Sequence, residues 1–121
     1  MENLNNVEEK RRYRRIDSAL SVRYRNLRKN ENPTIESLSK NIGEGGVCFN
    51  SGEFISLACR MIVEITLPTT PKPIKAISKV AWIRKIPAGD SYQIGNQFLE
   101  ITKDDRDRIS QFINQVVKLN T

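Results

Sequence analysis

The sequence predicts an all-β chain closed by one helix: a six-stranded antiparallel β-barrel with a C-terminal α-helix. Three observations carry this. Six short segments of apolar–polar alternation follow one another at regular spacing, separated by turn residues. A single stretch of helical periodicity comes last. The 121 residues, 38% of them apolar, suffice for one modest core and one domain.

Taken in order, residues 1–9 show no periodicity and are expected to be a mobile leader, with the domain running over 10–118. The first strand falls in residues 18–25, where Leu20, Val22 and Tyr24 alternate with Ser21, Arg23 and Arg25. NENP at 30–33 is turn material, and residues 34–39 alternate again with an imperfect step between Ile35 and Leu38. NIGEGG at 41–46 places three glycines within four residues, so the backbone there takes positive φ or passes close to another group. A short strand at 47–49 follows. Met61, Val63, Ile65 and Leu67 mark the inner side of the next strand, and TLPTTPKP at 66–73 is a loop. Residues 74–86 are long enough for a bent strand, with Ile74, Ala76, Val80 and Trp82 expected on one face. PAGD at 87–90 is a turn. Tyr92, Ile94 and Phe98 mark the sixth strand, in which Gly95 signals a close backbone approach or a bulge. Thr102 with Asp105 three residues on reads as a helix N-cap and acidic first turn. Ile109, Phe112, Ile113, Val116 and Val117 then form an apolar stripe that packs on the sheet.

Composition removes several function classes. Histidine is absent, which excludes His-based triads, His metal ligands and His general bases. Cys48 and Cys59 are not in CxxC spacing, so zinc and dithiol redox sites are not expected, and Cys48 reads as a small buried apolar residue. Asp104, Asp107 and Asp105 are explained by the helix start rather than by a metal. No paired carboxylates and no nucleophile with a base emerge, so no enzyme and no catalytic residue is expected. No apolar run approaches the ~18 residues of a membrane span, and the polar N-terminus does not resemble a signal peptide. A cytoplasmic protein with reduced cysteines is the expectation.

The charge is uneven. The net charge is +6, of which residues 1–30 hold +5, from nine Lys/Arg and four Asp/Glu. KRRYRR at 10–15 concentrates it, which points to an anionic partner. Guanidinium groups donate paired, coplanar hydrogen bonds to phosphates and stack on purine faces. The glycine loop offers bare backbone groups and the Asn41 amide, which can donate and accept toward a base edge. The near-neutral remainder and the scarcity of aromatics argue against a non-specific nucleic-acid or membrane binder.

In this order the two motifs resemble the PilZ domain, the cyclic di-GMP receptor module of bacteria. The RxxxR pattern is Arg11–Arg15, and a loop close to (D/N)xSxxG runs from Asn41 to Gly46. KVAWIRKI, YQIGNQF and TKDDRDRISQFI follow, so the resemblance covers roughly residues 10–118. It implies a ligand-binding set of Arg11, Arg12, Arg15, Asn41, Gly43 and Gly46. Arg11 and Arg15 would clamp phosphates and guanines, and Arg12 would add charge. Asn41 would read a guanine edge, and Gly46 would turn the loop into the next strand. Gly43 stands where the family usually has serine. The missing hydroxyl implies a roughly tenfold weaker receptor, and Gly43→Ser is expected to tighten it. The arm would be mobile without ligand, fold across the barrel on binding, and signal to an unidentified effector protein, with no cofactor beyond the ligand. The alternative is a PilZ-fold interaction module that has lost nucleotide binding, with Gly43 in its favour.

Overall fold

The computed structural model describes residues 14–28 and 34–119. Among them seven strands precede one helix: β1 (Arg15–Asp17), β2 (Ser21–Asn26), β3 (Ile35–Gly43), β4 (Gly46–Ser51), β5 (Arg60–Thr66), β6 (Ile74–Lys85), β7 (Tyr92–Ile101) and α1 (Lys103–Leu119). Every strand pairing is antiparallel. Neighbours run β3-β2-β5-β6-β7-β4, and β4 pairs back onto β3, which closes a six-stranded barrel. The expected barrel and closing helix are present, with one strand added. β1 lies outside the ring, on the edge of β3 that β2 also uses. β2 pairs from Tyr24↔Ile35 to Ser21↔Leu38, and β1 pairs with Asn41, Ile42 and Gly43.

β1 begins at Arg15, the last residue of KRRYRR, and is the strand that the sequence did not announce. Its three residues hold one apolar side chain, too few to display a period. The chain passes from β1 to β2 through a crossover at Ser18–Leu20, held by Ser39. The Ser39 hydroxyl accepts the Leu20 N–H (2.8 Å) and donates to the Ser18 carbonyl. The Ser18 and Ser39 amides donate to the carbonyls of Lys40 and Leu20 (3.2 and 2.8 Å). The expected leader at 1–9, most of KRRYRR and the NENP turn lie outside the described residues.

The core follows the alternation. Val22 and Tyr24 of β2, Val47 and Phe49 of β4, Met61, Val63 and Ile65 of β5, and Ile74, Ala76 and Val80 of β6 all point inward and are buried. Burying such side chains contributes about 1.5–3 kcal/mol each. Tyr24 packs on Phe49 with ring centroids 4.6 Å apart, and its hydroxyl donates to Ser51 Oγ (3.0 Å). Ile109, Phe112 and Ile113 of α1 join this core. Thr102 Oγ1 accepts the Asp105 N–H (3.1 Å), the expected N-cap, and Asp105 accepts the Lys75 N–H (3.3 Å), tying the first helical turn to the start of β6.

Two expectations are corrected. The glycine segment is not a six-residue loop: Asn41–Gly43 finish β3, Gly46 opens β4, and Glu44–Gly45 alone make the turn. Positive φ occurs among the described residues at Gly89 (133°) and Ala58 (65°), so Gly43 and Gly46 serve close approach instead. Trp82 does not share the inner face with Val80. The β6–β7 register shifts between Val80 and Trp82, and the extra residue turns Trp82 outward, where it is 37% exposed.

Candidate functional site

Of the expected site residues, Arg15, Asn41, Gly43 and Gly46 lie on the outer face of the barrel, where β1, β3, β4, β7 and β6 lie side by side. One cross-strand row reads Ile16, Ile42, Val47, Asn96, Val80, and its members from Ile42 onward are buried toward the interior. The rows on either side therefore face outward, because side chains alternate along a strand. One is Arg15, Gly43, Gly46, Gln97; the other is Asp17, Asn41, Cys48, Gly95, Trp82.

The three glycines in these rows are sites of contact. A Cβ on Gly46 would lie 2.0 Å from the Asn96 carbonyl oxygen, so β4 approaches β7 only because residue 46 has no side chain. A Cβ on Gly95 would lie 2.2 Å from the Trp82 ring, which rests on that bare backbone with part of the ring exposed. This is the close approach that Gly95 signalled in the sequence. A Cβ on Gly43 would lie 2.7 Å from the Arg14 carbonyl oxygen and 3.0 Å from Cγ of Arg15. The place a serine would occupy is thus filled by the root of the arm.

The electrostatics of the face are cationic. Cys48, outward yet only 1% exposed, has its thiol pKa pushed up by burial, while Arg15, Arg84 and Lys40 act on it in the opposite sense. Three cations therefore act on the middle of the row that runs from Asp17 and Asn41 to Trp82. Arg84 donates to the Gln93 side chain. Asn41 Oδ1 is buried and has no hydrogen-bond partner among the described residues. A buried amide oxygen left this way costs free energy until a donor arrives.

The structure thus brings Arg15, Asn41, Gly43 and Gly46 together, while Arg11 and Arg12 lie outside the described residues. It adds Trp82, Cys48, Lys40 and Arg84, which were not read as site residues. Gly95 was the available signal for Trp82; nothing local announced the other three. Elsewhere, a cavity of about 290 Å³ is lined by Tyr24, Asn26, Phe54, Cys59 and Met61, and a groove of about 630 Å³ by Ile62, Ile77, Leu99 and Ile101. Among the described residues no cluster of His, Cys, Asp or Glu could hold a metal ion, and no helix is long and apolar enough to cross a membrane.

Fold and face together define a closed antiparallel barrel module with a C-terminal helix and a cationic outer surface around an arginine-bearing strand. The PilZ domain matches residues 9–115, and the chain belongs to that family, a c-di-GMP receptor family. Solved structures agree on the fold. The inhibitor of motility MotI/DgrA of Bacillus subtilis superposes with a TM-score of 0.75 at 24% identity, over 89% of this chain and 51% of that one. YcgR of Escherichia coli, in complex with c-di-GMP, gives 0.72 at 14% identity, over 91% and 47%. The MrkH–c-di-GMP complex of K. pneumonia gives 0.67 at 18% identity, over 88% and 51%. The chain spans about half the length of these solved chains. No curated protein sequence matches it.

Proposed function

We propose that the chain is a c-di-GMP receptor and adaptor whose ligand lies on the outer face between Arg15, the Asn41–Gly46 hairpin and Trp82. The observation that carries this is Asn41: its buried carbonyl oxygen has no partner among the described residues, beside a strand that presents Arg15. Guanine offers the N–H donors this oxygen needs, and its O6 and N7 accept from a guanidinium. Arg15, Lys40 and Arg84 suit the two phosphates by charge. Arg11 and Arg12 of the same arm complete the clamp. Binding orders or repositions the arm, and a partner protein reads the change. A cytoplasmic setting belongs to this reading, since both cysteines are free thiols.

Calorimetric titration with c-di-GMP tests it. Arg15→Ala and Asn41→Ala should each weaken binding by about tenfold or more, and Arg11→Ala likewise. Undiminished binding in all three variants would reject the assignment. The second reading, a PilZ-fold interaction module without nucleotide binding, is favoured by the Arg14 carbonyl standing where a serine side chain would be. The wild-type titration separates the two: no heat and no chemical-shift change at Asn41 would select the module.

A further inference from the structure

We infer that Gly43 is a positioning residue: lacking a side chain, it lets the root of the basic arm lie flush on β3 and so holds Arg15 over the site before any ligand arrives. The consequence for affinity rests on the receptor reading above; the consequence for the arm does not.

β1 is three residues long and, among the described residues, pairs with β3 alone. Such a short edge pairing is marginal by itself. Its C-terminal side is fastened by the Ser39 crossover and by Ile16, partly buried against the core. Its N-terminal side, which carries Arg15, meets β3 at Gly43. A Cβ there would come within 2.7 Å of the Arg14 carbonyl oxygen, well inside normal contact. That oxygen belongs to backbone and cannot rotate away, so the strand itself would have to lift. The neighbouring Arg15 stem, 3.0 Å from the same point, would lift with it.

The usual reading of glycine in place of serine is a lost hydroxyl. The geometry here points the other way. A serine at 43 would displace the strand that presents Arg15, and the ordering of that strand would have to be recovered on binding. An equilibrium that must first reach its competent state binds more weakly by the competent fraction. Restoring the serine therefore weakens this receptor.

Amide hydrogen exchange by NMR on the ligand-free wild type, Gly43→Ala and Gly43→Ser reads the arm directly, and titration with c-di-GMP on the same three proteins reads affinity. Both variants should exchange about tenfold faster over residues 14–17 while β5 and β6 keep their protection, and both should bind about tenfold more weakly. Unchanged protection of residues 14–17 in Gly43→Ala overturns the inference. So does tighter binding by Gly43→Ser. Loss of protection throughout β5 and β6 also overturns it, since position 43 would then hold the barrel rather than the arm. If the wild type binds no ligand, the receptor reading fails, and the exchange comparison still decides the role of Gly43.

Discussion

Cys48 faces outward on β4 but is 1% exposed, and its thiol pKa is raised from 9.0, chiefly by burial, against the pull of Arg15, Arg84 and Lys40. A thiol whose folded pKa exceeds its unfolded value favours the fold below the unfolded pKa. That contribution is lost as pH rises from about 9 through the folded pKa, because the unfolded chain releases the proton first. Tyr24 behaves alike from 10.0, again mainly through burial. Thermal melts should therefore show falling stability above about pH 9, with a smaller fall in Cys48→Ala; equal falls in the two proteins would mean the thiol is not the group responsible. The same row makes a second prediction. Gly95→Ala would put a methyl 2.2 Å from the Trp82 ring, so the indole must leave its seat. Trp82 fluorescence should shift to the red, and c-di-GMP affinity should fall if the ring lines the ligand. Gly95 was legible because glycine inside an alternating strand implies a close approach. Cys48 was legible as buried but not as part of an outer face, since its side of β4 is set by the pairing of β4 with β3 and β7.

At the scale of elements, the regular ones were readable and the irregular ones were not. β5 alternates Met61, Val63 and Ile65 without interruption, and α1 carries its stripe and its Thr102 cap; both lie within a residue or two of where the pattern puts them. β3 and β6 contain register shifts, between Ser39 and Asn41 and between Val80 and Trp82. Each shift moves the following residues to the other face, so a simple count of two fails there. Buried polar residues hide the period further: Ser39, Ser78 and Asn96 occupy inward or covered positions that look like solvent positions in the sequence. Ser39 has a cost attached to it that can be measured. Its hydroxyl serves the Leu20 N–H and the Ser18 carbonyl at the crossover between β1 and β2. Ser39→Ala leaves both without that partner, a loss of about 1–3 kcal/mol. Urea unfolding should show this, and exchange over residues 15–20 should rise. A melt indistinguishable from wild type would mean that water replaces the hydroxyl. Thr102→Ala, by contrast, removes one exposed cap and should cost only about 1 kcal/mol.

For the whole molecule, charge and topology bear on the same question. Residues 1–30 hold +5 of the +6 net charge, and within the described part of that segment β1, with Arg15, joins the β3 edge beyond β2. Composition could reveal the concentration of charge but not its destination, because the docking of β1 depends on β3 being longer than β2 and on Gly43 leaving room. The destination separates two kinds of anion. A polyanion would engage Lys10, Arg11, Arg12, Arg14 and Arg15 as a stretch of charge and release condensed counterions; five phosphate contacts imply a loss of roughly 500-fold in affinity between 50 and 200 mM salt. A cyclic dinucleotide brings two phosphates and no condensed atmosphere, and the Asn41 contact is neutral. Its binding should therefore weaken by less than about tenfold over that salt range. Titrations of c-di-GMP and of a duplex oligonucleotide at both salt concentrations measure this. A steep, equal dependence for the two would place the arm among general polyanion binders and remove the reason for assigning Asn41 a ligand. A shallow dependence for the dinucleotide alone is what two phosphates and a neutral contact at Asn41, whose amide oxygen has no partner among the described residues, require.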